Sequence, residues 1–210
     1  MGSGKVSYIF SFILLVIIGC LGYFAYNKLY FQTYTTNYYE DVKGRVIVKV
    51  NGKELTDKGI EYYRNYINND SDLSDKDLTE LFIENRLLLE KAIEDEIRVS
   101  KKEVIKRVNN RRDYFENSAT KEEKDALNKM VEDQQISMEN YWSKYAPEVY
   151  AQLIAVDKVK NTINSINIEV LKRLHPEWSE EELNEENDKL FNNKIYDLKI
   201  KYNVEIVRMY

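Results

Sequence analysis

Residues 78–104 carry the most regular hydrophobic pattern in the chain, with apolar positions recurring every three or four residues. The stripe comprises Leu78, Leu81, Phe82, Leu88, Leu89 and Ala92. Such spacing places one apolar face of a helix against a core. Ser100 and Glu103 stand in the S-x-x-E order of a capping box, which predicts that a second helix begins near Lys101. We therefore predict a buried central helix, a short turn and a second helix.

The same period and the same capping signals predict helices over most of the remaining chain. The predicted helix starts are capped by Thr56, by Thr120 with Glu123, by Ser137, and by Ser179 with Glu182. Pro147 suits the first turn of a long helix, which ends at His175 because Pro176 disfavours helical geometry in the residue before it. Ile105, Val170 and Leu174 fall at helical spacing among the positions predicted to face inward.

Two segments at opposite ends of this helical region alternate like strands. In residues 45–50, Val46, Val48 and Val50 fall on one side and Ile47 falls on the other, and Asn51-Gly52 ends the strand. Residues 202–210 form the second strand. A lone strand leaves unmatched backbone groups, so the two are expected to pair. The predicted fold is mainly α, one domain over residues 44–210 closed by a two-stranded β ribbon from its ends.

The N-terminal segment is predicted to meet a membrane. Residues 6–26 contain no charge, and about 20 apolar residues in a helix cross a bilayer core of roughly 30 Å. Residues 1–28 are interpreted as a transmembrane anchor or signal segment, and residues 29–43 as an aromatic linker at the membrane surface. Because the residues before Cys20 fit a bacterial lipobox, lipidation of Cys20 is an alternative to an uncleaved helix, as is complete removal of the segment.

Charge narrows the choice of partners. The net charge of -5 and the pI near 5.2 argue against nucleic acid as a main partner, which needs a concentrated basic surface. The helix predicted from Lys101 is nevertheless basic. Its cations are Lys101, Lys102, Lys106, Arg107, Arg111 and Arg112. Pairs five residues apart drift around a helix, so a solvated surface is favoured over contact with anionic lipid or wall polymer.

No catalytic, cofactor-binding or metal-binding residue is predicted. His175 is the single histidine and Cys20 lies in the apolar segment, so no Cys-His pair or histidine-ligated metal site can be built in the domain. No glycine-rich phosphate loop is present, and the acidic loop before Leu78 lacks the central Gly and distal Glu of a calcium loop. The chain is therefore predicted not to be an enzyme.

Methionine and large aromatic residues cluster around the short helix that follows Ser137. The candidate polypeptide-binding residues are Met130, Met138, Tyr141, Trp142, Tyr145 and Tyr150. Such side chains make adaptable contacts with varied apolar partners, as polypeptide binding requires. The alternative is that they belong to the core, since Trp142 and Tyr145 are three positions apart and can both face inward.

Four segments, taken in order, resemble the N-terminal chaperone module of the SurA and PrsA type extracytoplasmic foldases, whose plan is similar to that of the trigger factor chaperone domain. They are residues 48–56, 81–88, 92–104 and 136–142, followed by the closing strand. The resemblance implies a protein that binds unfolded or partly folded polypeptides outside the cytoplasm without ATP. Many such proteins carry an inserted parvulin-type prolyl isomerase domain, for which residues 163–183 leave no room.

Three functions are therefore kept open by the sequence. The first is a chaperone-like module held at the cell membrane, with its domain on the extracytoplasmic side. The second is a structural or assembly subunit that holds one dedicated protein partner. The third is a degenerate prolyl isomerase.

Overall fold

The computed structural model describes residues 43–67 and 73–207, which are mainly helical with one small antiparallel sheet. The strands are β1 (Val46–Val50), β2 (Lys53–Thr56) and β3 (Glu205–Ile206). The helices are α1 (Asp57–Ile67), α2 (Asp75–Glu94), α3 (Lys101–Asn117), α4 (Lys121–Asp133), α5 (Met138–Asn140), α6 (Ala146–Leu174) and α7 (Glu180–Lys201). A π-helical turn, Tyr141–Tyr145, joins α5 to α6.

The predicted capping boxes are confirmed at the starts of α3, α4 and α7. The side chains of Ser100, Thr120 and Ser179 each accept a hydrogen bond from the backbone N–H three residues later. The glutamate at that later position in turn accepts from the backbone N–H of the capping residue, so two otherwise unpaired donors are satisfied. Local chemistry thus fixes where these helices begin.

The sheet has three strands, and the predicted two-stranded ribbon is corrected in this respect. β1 lies between β2 and β3 and is antiparallel to both. The pairing of the two predicted strands is confirmed, because Val48 stands opposite Ile206. The error lies at Asn51-Gly52, which turns the chain into β2 instead of ending the sheet. Both residues have positive φ, 53° and 76°, as a two-residue hairpin loop requires.

Ile47 is buried, although alternation predicted it on the polar side of β1. Val46 stands opposite Thr56 and Val48 stands opposite Leu55, so Ile47 is an extra residue in β1. Such a β-bulge changes the face to which the following side chains point. Ile47, at 2 % exposure, therefore joins Val48 and Val50 in the core.

The buried side chains form two clusters, both of which include residues of α6. The first cluster packs the sheet and α1 against α2, the middle of α6 and the C-terminal half of α7. The second packs α3, α4 and the π-helical turn against the start of α6. α2 is buried along most of its length, and Ile97 and Val99 in the turn after it pack against the core as predicted. α6 therefore links the two clusters.

The predicted short helix after Ser137 continues into α6 without a break. At the junction the backbone N–H of Ala146 donates to the carbonyl of Tyr141, five residues earlier. Pro147 accounts for this wider turn, since its ring collides with the carbonyl four residues before it in a regular α-helix. Pro147 lies in the first turn of α6, as predicted.

Beyond Ile163 on α6 and before Phe191 on α7, the two helices form an antiparallel hairpin that we call the arm, residues 164–190. Its buried side chains are Leu171, Leu183 and Asn187, and none belongs to either cluster. Side chains predicted to face inward here do not: Val170 is 41 % exposed and Leu174 is 65 % exposed. Ile105 on α3, also predicted inward, is 47 % exposed. Helical spacing continues at these positions, but no partner element covers them among the described residues.

The predicted anchor, residues 1–28 with Cys20, and all of the predicted linker, residues 29–43, except Lys43 lie outside the described residues. Within residues 43–67 and 73–207, no helix is long and apolar enough to cross a bilayer. The tether therefore stays a prediction from the sequence.

Candidate functional site

The structure brings the six candidate binding residues together, and it buries most of them. Met130, Tyr141, Trp142 and Tyr150 belong to the second cluster. The ring of Trp142 lies 4.7 Å from that of Tyr141 and 6.0 Å from that of Phe115, centroid to centroid. Met138 and Tyr145 are only half-buried at the edge of the cluster. The core alternative thus describes four of the six, and a binding role for this region stays a prediction that rests on Met138 and Tyr145.

Three of the exposed apolar side chains lie on the arm. Ile166, Val170 and Leu174 follow one another at four-residue spacing on α6, and we call them the arm stripe. Residues four apart are neighbours on one helix face, so the stripe extends over about 12 Å. Two further exposed residues, Tyr196 and Ile200, lie on α7. Sequence reasoning missed the stripe because its period is the same as that of the buried positions earlier in α6.

An ion pair, an amide contact and a ring stack lie beside the arm stripe. Glu169 and Arg173 form an ion pair at 2.9 Å on the exposed side of α6. Asn164 accepts a hydrogen bond from Asn187 of α7 at 3.3 Å, which joins the two helices of the arm. At the end of the arm the rings of His175 and Trp178 stack at 3.8 Å. The stripe is therefore an apolar surface suited to apolar partners.

A groove of about 510 Å³ lies between α2 and α7. Leu73, Leu81, Ile195 and Tyr196 give it an apolar lining, and Asp77, Glu80 and Glu84 add carboxylates along α2. Glu80 binds Lys199 at 2.6 Å and Glu84 binds Lys160 at 3.1 Å. These ion pairs neutralise much of the negative charge. Among the described residues, no group of three His, Cys, Asp or Glu side chains is placed to hold a metal ion.

A buried polar cluster connects the hairpin turn to α2. Glu90 accepts from Arg86 at 2.7 Å and from Asn51 at 3.1 Å, and it forms an ion pair with Lys53 at 3.3 Å. The side chains of Glu90 and Arg86 are almost fully buried. Because burial removes water from these charges, they depend on one another for stabilisation. The cluster ties the β1–β2 turn to the central helix and is a structural feature of the fold.

Displaced pKa values mark packing contacts and helix ends. Hydrogen bonds from Lys158 and Ser100 lower the pKa of Glu103 to about 2. Burial, followed by the neighbouring Glu84, raises the pKa of Tyr63. Burial and the hydrogen bond to Glu94 raise the pKa of Tyr202, which keeps its hydroxyl protonated. These groups hold elements together: Glu103 joins α3 to α6, and Tyr202 joins the end of α7 to α2.

We predict that the contribution of Glu103 to stability disappears at low pH. Its carboxylate lies 2.7 Å from Lys158, and its pKa is lowered from an ordinary value of 4.5. A lowered pKa means that stabilisation is fully present above pH 4.5 and is lost as the pH falls through about 2. The Lys158 and Glu103 side chains are 36 % and 42 % exposed, so solvent screening limits the contribution of this ion pair to stability at neutral pH to about 1 kcal/mol.

The measurement compares urea unfolding of the wild type and Glu103→Gln at neutral pH and near pH 2. The difference between their unfolding free energies should shrink toward zero at the lower pH. Glu116→Gln is a matched control, since Glu116 forms a more exposed ion pair with Arg112 on the same helix. A difference that stays constant across this range would contradict the prediction.

Comparison with protein-family models, with curated proteins and with solved structures finds no match for this chain.

Proposed function

We propose that the protein is a membrane-tethered, ATP-independent, chaperone-like module that binds unfolded exported or membrane polypeptides. The observation that carries the proposal is the arm stripe, in which Ile166, Val170 and Leu174 are each at least 41 % exposed. Isolated exposed apolar residues are ordinary, whereas several in one row on a projecting hairpin mark an interaction surface. Unfolded polypeptides present the apolar side chains that such a row binds.

The size of the stripe fits reversible binding. Burying an aliphatic side chain completely contributes about 1.5–3 kcal/mol, and the three members of the stripe are already partly covered. Covering the rest of the three side chains gains at most about 5 kcal/mol. Part of this gain offsets the ordering of the bound segment, which leaves affinities in the millimolar range or weaker, with a binding free energy no more favourable than about -4 kcal/mol. Binding of that strength is released by dilution, so the module needs no nucleotide to let a client go.

The order of elements supports the same proposal. The segments that resemble the SurA and PrsA type module form, in order, the β1–β2 hairpin, part of the central helix α2, the turn into α3, and α5 with the start of the π-helical turn, and β3 closes the sheet. The uncharged residues 6–26, or lipid on Cys20, would tether this domain to the membrane with the domain on the extracytoplasmic side.

We retain degenerate prolyl isomerase as an alternative, which a peptide prolyl assay tests directly.

Val170→Asp tests the arm stripe in the full chain, held in zwitterionic nanodiscs. A charge at its centre must be desolvated when a client binds, so suppression of client aggregation should weaken about tenfold, equivalent to about 1.4 kcal/mol. Ile105→Asp is the matched control, because Ile105 is a similarly exposed aliphatic residue on α3. Both variants should melt close to the wild type. Equal activity of Val170→Asp and the control would contradict the proposal.

A second candidate, binding of one dedicated partner, is favoured by the four-residue spacing of the stripe. Apolar residues at that spacing form the face that an amphipathic helix packs against one partner in a fixed complex. Titration with several unrelated unfolded proteins distinguishes the two functions. Comparable binding of all of them supports the chaperone-like module, whereas one saturable, stoichiometric partner captured by crosslinking in cells supports the assembly subunit.

A further inference from the structure

One exposed face of α3 concentrates positive charge in an otherwise acidic protein. Lys101, Lys102 and Lys106 are exposed over its first two turns, and Ile105 projects among them with 47 % of its surface accessible. At 100° per residue, these four positions fall within one half of the helix circumference. Val104, Val108 and Phe115 lie together on the adjoining buried side of the helix, where they belong to the second cluster. We call the four exposed residues the basic face.

The three lysines have no carboxylate partner among the described residues, although other cations of α3 do. Arg107 lies 4.0 Å from Asp157, and Arg112 binds Glu116 at 2.7 Å. Glu103, the acidic residue within the same stretch of sequence, points away and binds Lys158 at 2.7 Å. The basic face therefore keeps three positive charges close together, and like charges four residues apart on a helix repel each other.

We propose that the basic face docks the domain on an anionic lipid surface. Clustered lysines are attracted to a negatively charged leaflet, each increasing affinity roughly fivefold, and an exposed aliphatic side chain among them can insert between headgroups. Lys101 and Lys102 precede Ile105 by about one helical turn and Lys106 follows it directly, so charge attraction and apolar insertion act on the same part of the helix. The combination of three lysines without a carboxylate partner in the described part of the chain and one exposed apolar residue fits contact with a lipid surface better than a role as a water-exposed surface alone.

The length of the linker allows this orientation. If residues 6–26 anchor the chain, residues 27–42 separate the bilayer from Lys43, and this stretch can extend over roughly 55 Å. α6, the longest helix in the described part of the chain, measures about 44 Å, so the linker can bring any face of the domain to the membrane. Attraction of the basic face to anionic lipid does not require the anchor. Only the statement that the domain docks on the membrane that holds its own anchor rests on the proposed function.

Docking is tested with a fluorescent label at Asn109→Cys, one turn beyond Ile105, in a Cys20→Ser background of the full chain. Vesicles contain lipid-attached quenchers and are either purely zwitterionic or supplemented with anionic lipid. We expect quenching on the anionic vesicles and its decline as salt is raised. Reversal of all three charges, with Lys101→Glu, Lys102→Glu and Lys106→Glu, should shift the docking equilibrium on the order of a hundredfold.

A charge-matched control carries Lys76→Glu, Lys172→Glu and Lys194→Glu, three exposed lysines on other helices, and should quench like the parent chain. A label at Tyr196→Cys on α7 should stay unquenched. Absence of quenching at residue 109 on anionic vesicles overturns the proposal. Equal loss of quenching in both triple variants also overturns the proposal. Preferential binding of soluble polyphosphate over vesicles overturns it too, because the basic face would then bind a soluble polyanion.

Flotation of the unlabelled chain separates this result from the proposed tether. A chain that floats with zwitterionic vesicles at high salt but shows no quenching at residue 109 has its tether and lacks the docking. A chain quenched on anionic vesicles that does not float with zwitterionic ones docks through the basic face and lacks the tether.

Discussion

Replacement of Trp142 by alanine is expected to lower the free energy of unfolding by about 3–5 kcal/mol. The indole is 8 % exposed and packs between the rings of Tyr141 and Phe115, which connects the π-helical turn to α3. Alanine leaves a cavity in the second cluster that neighbouring helices can fill only partly. Urea unfolding followed by far-UV circular dichroism measures the loss.

Trp178→Ala is the matched control, because it removes the same side chain from the end of the arm. Trp178 is half-buried and stacks on His175, outside both core clusters, so its loss should cost about 1 kcal/mol or less. If Trp142→Ala instead kept its stability and weakened the binding of unfolded clients, the indole would serve a binding surface. That outcome would contradict the packing described here.

Replacement of Glu90 by alanine is expected to cost a similar amount, about 3–5 kcal/mol. Glu90 is the carboxylate on which Arg86, Lys53 and Asn51 converge, and the Arg86 side chain is 3 % exposed. Without Glu90, the buried Arg86 guanidinium loses its ion pair with this carboxylate. The β1–β2 turn also loses its link to α2, so protection of its amides from hydrogen exchange should fall first.

Glu80→Ala provides the comparison on the same helix. Glu80 binds Lys199 at 2.6 Å, but its side chain is half exposed, and exposed ion pairs contribute about 0–1 kcal/mol. A large loss of unfolding free energy for Glu90→Ala and a small loss for Glu80→Ala would show that burial of the carboxylate, and not a short ion-pair distance, determines its contribution to stability. Equal losses would contradict this assignment.

Features that depend on a few neighbouring residues were predictable from the sequence. The capping boxes at Ser100, Thr120 and Ser179 act within one turn, and all three begin helices as expected. The pairing of the terminal strands was predictable because both segments alternate and a lone strand leaves unmatched backbone groups, although β1 pairs with β2 as well. β2 was not, since Lys53–Thr56 contains one aliphatic residue and its alternation is too short to recognise.

The hydrophobic pattern of the sequence could not predict features that depend on which elements pack against each other. Val170 and Leu174 continue the spacing of Val156 and Ile163, yet the elements that cover those earlier positions do not reach the arm. A period identifies a face of a helix but not the length of its partner. For the same reason the pattern left open whether Trp142 was core or surface, and it placed Ile105 inward.

The placement of β1 at the centre of the sheet sets the order in which the domain can be completed. Its hairpin with β2 joins adjacent residues and can form early, whereas its pairing with β3 must wait for α7 and the residues after it. During synthesis, the first core cluster therefore lacks Phe191, Ile195 and Leu198 until the last part of the chain has emerged. The apolar side of α2 stays partly uncovered throughout that interval.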